Sequence, residues 1–157
     1  MDEFLLLDSD VFLIDCRYQR DAKFPVNRRF LDEIEAQDIR RATTVFNLLE
    51  ICGILTFNLN RQQLRAFYAT FAVHYGVQVV GPQLPERFGH RMIDLLVGRT
   101  LGVVLRRVSL GDAFTILTAE STPGATTFIT WNARHFIGRS DLVVMTPEEW
   151  LHRAATP

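Results

Sequence analysis

Residues 4–11 have the sequence FLLLDSDV, in which four apolar side chains precede Asp8 and Asp10. A short apolar run that stops at a charged residue is typical of a strand buried on both faces of a parallel sheet. In parallel α/β folds, chemistry gathers at the carboxyl ends of the strands. We therefore expect residues 4–7 to form a buried strand and Asp8 to lie at the functional edge of the sheet. Capping of the following helix would equally explain either aspartate.

Helical and strand-like patterns alternate along the rest of the chain. The clearest helix is predicted over residues 60–75, where apolar residues recur at helical spacing as far as Gly76. Further helices are predicted over 27–37 with Asn27 as N-cap, within 42–55, over 86–100, over about 111–121 and from Pro147 onwards. Further strands are predicted over 77–80, 126–130 and 142–145. This alternation predicts an α/β fold with a parallel sheet covered on both faces.

The composition of the 157 residues indicates one ordinary domain, which we expect to span residues 1–157. Hydrophobic residues make up 48%, charged residues 22%, and the net charge is −1, which argues against a non-specific nucleic-acid coat. Two cysteines are too few for a disulfide scaffold. The acidic start and the lack of a long apolar run predict a cytoplasmic protein with no membrane span.

Lysine is almost absent, since 16 of the 17 basic residues are arginine and Lys23 is the exception. Phosphatases of the haloacid dehalogenase type and phosphoacceptor receiver domains also place aspartates after a strand. Both need a lysine later in the chain than position 23, so we set them aside. The sequence also lacks the glycine-rich phosphate loop, the dinucleotide-binding glycine pattern and a Cys-x-x-Cys pair.

Two further acids suggest a shared site. Glu50 lies within the apolar segment 45–52, so we expect it to be buried beside a cation, either an arginine or a metal ion. The reason is that a lone buried charge costs several kcal/mol. Asp112 stands at the start of a predicted helix, where a capping box with Ser109 would also explain it. Carboxylates that converge from separate elements suit Mg²⁺ or Mn²⁺.

Five segments, taken together and in this order, resemble PIN domains. They are residues 4–11, 43–50, 109–113, 130–136 and 146–151. The first resembles the family's apolar strand followed by Asp-Thr/Ser-Asn-Val, and the fourth is similar to its Thr-x-Asp/Asn-x-x-x-Phe strand end. The size and single-domain build look most like the VapC-type toxins of bacterial toxin–antitoxin pairs.

The resemblance implies a three-layer α/β/α sandwich with a central parallel sheet and a Mg²⁺- or Mn²⁺-dependent ribonuclease. It further implies the toxin role in a type II toxin–antitoxin pair, with RNA as substrate, a cognate antitoxin as partner and a homodimer. Carried over by position, the catalytic and metal-binding set is Asp8, Glu50, Asp112 and Asn132. Asp10 stands where the family usually has Asn, and Asn132 where it often has Asp. A charge lost at 132 would thus be restored at 10, which makes Asp10 a further candidate ligand.

Three arginines, Arg106, Arg107 and Arg134, lie near the predicted site in sequence and are candidates for binding substrate phosphates through their planar guanidinium groups. Each would equally serve as a solvated charge or as a partner for an acid. We expect Trp131 and His135 to be packing residues. The alternative to an enzyme is a PIN-fold binding or interaction module with weak or no nuclease activity, whose acidic pocket receives an arginine from a partner.

Overall fold

A computed structural model describes residues 3–83 and 91–155 of the chain. The strands are β1 (Phe4–Leu7), β2 (Arg40–Thr44), β3 (Gln78–Val80), β4 (Thr127–Ile129) and β5 (Val143–Met145). The α-helices are α1 (Ser9–Cys16), α2 (Phe24–Ala36), α3 (Val45–Leu55), α4 (Arg61–Tyr75), α5 (Arg91–Val104), α6 (Leu110–Ser121) and α7 (Pro147–Ala154). A short 3₁₀ turn, Ala133–His135, follows β4.

The five strands form one parallel sheet in the order β3-β2-β1-β4-β5. Strand β1 is central, with Leu6 opposite Ala42 of β2 and Phe128 of β4. Because the three strands run in the same direction, Asp8 after β1, the start of α3 after β2, and Thr130 after β4 reach the same edge of the sheet. This edge carries the candidate site.

Strand β1 is buried on both faces, as its unbroken apolar sequence predicts. Its four side chains are at most 1% exposed. Leu5 and Leu7 pack into a core shared with α1, α2, α3, α4 and α7, while Phe4 and Leu6 face a second core shared with α5 and α6. Helices therefore cover both faces of the sheet, and the predicted α/β/α sandwich with a central parallel sheet is confirmed.

The ends of α4 and α7 follow from local sequence. Asn60 and Gln63 form a reciprocal capping box at the start of α4, which stops at Gly76 with φ of +59°. That left-handed conformation favours glycine. Thr146 and Glu149 form a second capping box at the start of α7. The predicted start of each helix and the predicted end of α4 agree with the structure to within one residue.

The helix predicted within 42–55 is confirmed as α3, but strand β2 was not predicted. Residues 40–44 form this strand, and Thr44 then caps α3 by accepting the Asn47 N–H at 3.0 Å. One prediction about local structure is wrong. Asn27 is not an N-cap, since α2 begins at Phe24 and has a proline in its first turn. The Asn27 side chain is instead buried, donating to the Val11 carbonyl at 2.9 Å.

Helix α5 runs further than predicted, to Val104, while residues 86–90 of the predicted helix lie outside the described residues. Its outer face is apolar, with Ile93, Val97 and Leu101 exposed. Within residues 3–83 and 91–155, no helix combines the length and apolarity needed to cross a membrane.

Candidate active site

Three acids from separate elements share one cavity of about 220 Å³ at the carboxyl edge of the sheet. Asp8 precedes α1, Glu50 lies on α3 and Asp112 lies in the first turn of α6. Asn132 also lines the cavity. The other lining residues are Ser9, Ser109, Gly111, Thr115, His135 and Phe136. The structure thus brings together the four residues expected at the site, and no arginine or lysine stands among the described residues that line it.

Asp8 is buried and held through both carboxylate oxygens. Oδ1 accepts the backbone N–H of Ser9 at 2.8 Å, which caps α1, and Oδ2 accepts the hydroxyl of Thr130 at 2.7 Å. Burial raises the pKa of Asp8 well above its usual range, and the charges of Asp10 and, less strongly, Glu50 raise it further. The two hydrogen bonds oppose this rise in pKa. Asp8 therefore both caps α1 and lines the cavity, so the two explanations of this residue are not alternatives.

Asp10 lies beside the cavity, against the end of β4. Its Oδ2 accepts from the Trp131 backbone N–H at 2.9 Å, the Thr130 hydroxyl at 3.2 Å and the Asn132 side-chain amide at 3.3 Å. Its Oδ1 is buried with no hydrogen-bond partner among the described residues. Burial raises the pKa of Asp10 to about 6, against the hydrogen bonds and the nearby charge of Lys23, which lower it.

Glu50 is exposed, contrary to the expectation that it is buried beside a cation. Helix α3 turns Leu48, Ile51 and Leu55 into the core, whereas Glu50 follows Phe46 by one turn on the side that faces α6. There, Phe46 stacks on Phe114 of α6 with ring centroids 4.7 Å apart. The segment is apolar because two faces of α3 are packed, one against the core and one against α6. Glu50 lies beside these faces and lines the cavity from an exposed position.

Asp112 and Ser109 share the start of α6. The Ser109 hydroxyl oxygen caps the helix by accepting the Asp112 backbone N–H at 3.1 Å. The carboxylate of Asp112, half-buried, lines the cavity. Its position in the first turn places this acidic side chain near the positive end of the helix dipole, a stabilising arrangement for the start of a helix.

A buried polar network that the sequence analysis did not identify ties these elements together. The Asn47 amide donates to the Leu7 carbonyl at 3.2 Å and to Thr43 Oγ1 at 3.3 Å, and its oxygen accepts the Thr115 hydroxyl at 2.9 Å. This links β1, β2, α3 and α6, the elements that carry or precede the three acids. The signal that could have revealed it is a lone amide, Asn47, within an apolar helix.

The three candidate arginines lie outside the cavity lining. Arg106 is engaged elsewhere, because it pairs with Glu120 at 2.8 Å and donates to the Arg139 carbonyl at 2.9 Å. Arg107 is exposed, with a φ of +66°, and Arg134 is exposed in the 3₁₀ turn beside the cavity.

The two aromatic residues expected to pack behave differently from each other. Trp131 is half-buried, donating its indole N–H to Asn27 at 2.8 Å, with the Lys23 ammonium 5.5 Å from its ring centroid. His135 is exposed and lines the cavity, so it is not a packing residue.

The donor set suits a hard divalent cation. None of Asp8, Asp10, Glu50 and Asp112 has an ion-pair partner within the described part of the chain. In that same part, no three His, Cys, Asp or Glu side chains stand together as a ready-made metal shell. Mg²⁺ needs only one or two carboxylates because waters complete its shell, so the oxygen donors present fit such an ion without a preformed cage.

Solved structures share this fold, although no family model and no curated protein matches the chain. The structure of FitAB bound to an IR36 DNA fragment has a TM-score of 0.59 at 14% identity, covering 92% of this chain and 95% of that one. VapBC-1 from nontypeable Haemophilus influenzae has a TM-score of 0.59 at 17% identity, covering 92% and 98%. FitAcB from Neisseria gonorrhoeae has a TM-score of 0.56 at 15% identity, covering 91% and 97%. At these identities the likeness concerns the fold: the chain has the PIN-like fold of the VapBC and FitAB structures, as its five motifs predicted.

Proposed function

We propose that the protein is a divalent-metal-dependent endoribonuclease that hydrolyses phosphodiester bonds in RNA. The observation that carries this proposal is the shared cavity, where Asp8, Glu50 and Asp112 meet without an arginine or lysine in its described lining. Negative charge gathered in this way repels an RNA backbone unless a cation neutralises it. Asp8, Glu50 and Asp112 would therefore hold a divalent ion, which would remove that repulsion and give the cavity an affinity for phosphate.

Asp8, Glu50 and Asp112 are the residues that would hold Mg²⁺ or Mn²⁺, with Asn132 as a neutral fourth donor. When bound, such an ion lowers the pKa of a coordinated water and neutralises charge on the phosphate. Asp8 supplies a fixed carboxylate, because Ser9 and Thr130 hold both of its oxygens in place. Glu50, which is exposed, and Asp112, which is half-buried, would supply the other two carboxylates.

The raised pKa of Asp8 supports a cation at this site. Its ionised form is costly in the metal-free protein, because the group is buried and Asp10 and Glu50 repel it. A positive charge beside the carboxylate reverses that cost, so ion binding and ionisation of Asp8 favour each other.

Substrate phosphates are bound from the rim of the cavity in this proposal. Arg134 is the strongest of the three candidates, because it is exposed in the turn that also places Asn132 and His135 at the cavity. Arg107 is exposed as well, whereas Arg106 is occupied by Glu120. We therefore assign phosphate contact to Arg134 and Arg107, and a structural ion pair to Arg106.

Cleavage of labelled RNA with Mn²⁺, with Mg²⁺ and with excess chelator tests the enzymatic proposal. We expect cleavage with either ion, none with chelator, and none by Asp8→Asn. Asp32→Asn is the matched control, since it removes an exposed acid on α2 that contacts Arg28 rather than the cavity. Equal cleavage by Asp8→Asn, or cleavage in chelator, would contradict the mechanism. Mn²⁺-independent RNA or protein binding without cleavage would favour the alternative of a PIN-fold binding module.

We further propose that the protein is the toxin of a type II toxin–antitoxin pair, with a cognate antitoxin as partner, and that it forms a homodimer. The support is its fold, which it shares with chains of the VapBC and FitAB complexes. Expression of the protein alone should arrest growth of a bacterial host, and co-expression of the neighbouring small reading frame should restore it. Light scattering on the purified protein should give twice the 18.0 kDa mass of the chain.

A further inference from the structure

Asp10 anchors one end of the Asn132 side chain. Its Oδ2 gathers three donors from the segment that follows β4, namely the Thr130 hydroxyl, the Trp131 backbone N–H and the Asn132 Nδ2 group. Its Oδ1 is buried with no hydrogen-bond partner in the described part of the chain, so the carboxylate is engaged on the Oδ2 side alone. Asp10 itself does not stand among the cavity-lining residues, whereas Asn132 does.

The two ends of the Asn132 amide are chemically opposite. Nδ2 carries two hydrogens and repels a cation, whereas Oδ1 is a neutral oxygen ligand. A carboxylate accepts hydrogen bonds and donates none, so Asp10 can pair only with the Nδ2 end. With Nδ2 held against Asp10 at 3.3 Å, Oδ1 is the end left for the cavity.

We propose that Asp10 is a positioning residue that holds the amide of Asn132 with its oxygen toward the candidate metal cavity. This rests on the proposed function, because the oxygen matters only if the cavity binds a cation. An asparagine without this anchor would present either end to the cavity and would lose its value as a ligand for part of the time. Asp10 thus acts through Asn132, without contact with the ion.

Two substitutions at position 10 separate orientation from charge. Asp10→Asn and Asp10→Ala both remove the negative charge, but only alanine removes the acceptor. In Asp10→Asn the Trp131 N–H requires an acceptor at the same place, so the new amide oxygen takes the Oδ2 position and still accepts from Asn132. We expect Asp10→Ala to bind Mn²⁺ roughly tenfold more weakly than Asp10→Asn by titration calorimetry, the usual size of an effect from a residue that orients a metal ligand.

The same two substitutions made in an Asn132→Ala background complete a double-mutant cycle between positions 10 and 132. Without the amide there is nothing to orient, so we expect Asp10→Asn and Asp10→Ala to bind Mn²⁺ equally in that background. A tenfold gap that persists without Asn132 would overturn the proposal, because Asp10 would then act through Thr130 or on the ion directly. Equal binding by the two variants in both backgrounds would also overturn it.

The side-chain NH₂ signals of Asn132 in the nuclear magnetic resonance spectrum provide a readout that needs no metal. In the metal-free wild type and in Asp10→Asn, we expect these signals to be displaced from those of a free amide. In Asp10→Ala, they should move to the free-amide position, while the signals of the exposed Asn58 stay unchanged and act as a control.

This spectrum also shows whether Asp10→Ala is folded. If it is not, the wild type and Asp10→Asn decide: displaced Asn132 signals in both support the proposal, and free-amide signals in either overturn it. If the wild type binds no Mn²⁺, the proposed function fails, and the Asn132 signals alone decide whether Asp10 orients the amide. If Asp8→Asn abolishes Mn²⁺ binding but the Asn132 signals are the same in all three proteins, the proposed function stands and this inference is overturned.

Discussion

The acids of the site fall into two pairs that the fold holds in opposite ways. Asp8 and Asp10 lie at the corner between β1 and α1, where Asp8 is buried and Asp10 half-buried, with hydrogen bonds that reach across to the end of β4. Glu50 and Asp112 lie on α3 and α6, with Glu50 exposed and Asp112 half-buried. The first pair is held by several hydrogen bonds and has raised pKa values because of burial, whereas the second pair is more exposed to solvent.

This difference assigns a separate task to each pair. In the proposed function, Asp8 would define where a cation sits, because hydrogen bonds from Ser9 and Thr130 hold both of its carboxylate oxygens. Glu50 and Asp112, which are more exposed, would complete the ligand shell of such an ion. If the proposed function holds, the cost of ionising the buried first pair without a cation would be an exchange of stability for function.

The largest effect should come from Asp8→Asn, which removes the fixed charge and keeps the shape. We expect RNA cleavage to fall by at least about a hundredfold, since even residues that only orient a metal ligand are worth 10–100-fold. In metal-free buffer the same variant should melt at a higher temperature than the wild type, because an amide oxygen still accepts from Ser9 and no charge is buried. If Asp8→Asn loses cleavage and also has a lower melting temperature than the wild type, the assigned role of Asp8 is contradicted, because the loss would then reflect damage to the fold.

Glu50→Gln and Asp112→Asn should each have smaller effects that more ion can overcome. Each substitution removes one proposed ligand. We expect the Mn²⁺ concentration that gives half-maximal cleavage to rise about tenfold, with near-normal rates at saturating Mn²⁺. Titration of cleavage rate against Mn²⁺ concentration measures this directly. If either variant remains inactive at saturation while Asp8→Asn recovers, the two pairs have exchanged roles.

Thr130→Val tests the contact that holds Asp8. The hydroxyl donates to Asp8 Oδ2 at 2.7 Å, and this bond lowers the pKa of the carboxyl. Its loss should raise the pKa of Asp8 further and cost about 1 kcal/mol of unfolding free energy. The acid limb of the pH profile of cleavage should therefore move to higher pH, while Thr126→Val, at the other end of β4, leaves that limb in place. An unmoved limb would show that Asp8 does not set it.

The smallest effect is a pH dependence of stability in the metal-free protein. The folded-state pKa of Asp10 is about 6, above its ordinary value of 3.8, so the folded protein binds more protons than the unfolded chain between pH 4 and 6. Stability contributed by this group therefore rises as the pH falls from 7 to 5, by on the order of 1 kcal/mol or 2–4 °C in melting temperature. Asp10→Asn should reduce this rise without abolishing it, because the buried Asp8 also has a raised pKa and contributes in the same direction. Thermal melts of both proteins at pH 5, 6 and 7 measure the difference. If the melting temperatures of the wild type and of Asp10→Asn change by the same amount between pH 5 and pH 7, this prediction is contradicted.

Much of the architecture could be predicted because local rules and tertiary structure agree. Residues 4–7 are apolar without interruption, as a strand covered on both faces requires, and the capping residues of α4 and α7 mark where those helices begin. Convergence of Asp8, Glu50 and Asp112 on one cavity follows the rule that parallel strands end at one edge.

The errors arise where burial depends on a neighbour that is distant in sequence. The exposure of Glu50 is decided by where α6 packs, since Phe46 uses the adjoining face of α3 to contact Phe114. Strand β2 was not predicted because no loop separates it from the apolar helix α3. Thr44 is both the last residue of the strand and the N-cap of the helix. Asn27 was wrongly predicted to be an N-cap because its side-chain oxygen accepts a hydrogen bond from Trp131, which lies 104 residues away in sequence.

The position of Lys23 gives the protein a convenient chemical handle. As the sole lysine of the sequence, it offers one side-chain amine to reagents such as succinimidyl esters. That amine is exposed and lies 5.5 Å from the ring centroid of Trp131, next to Asn132 at the cavity. A dye attached there would report quenching by the indole, and occupancy of the neighbouring cavity could be followed by fluorescence without introducing a cysteine.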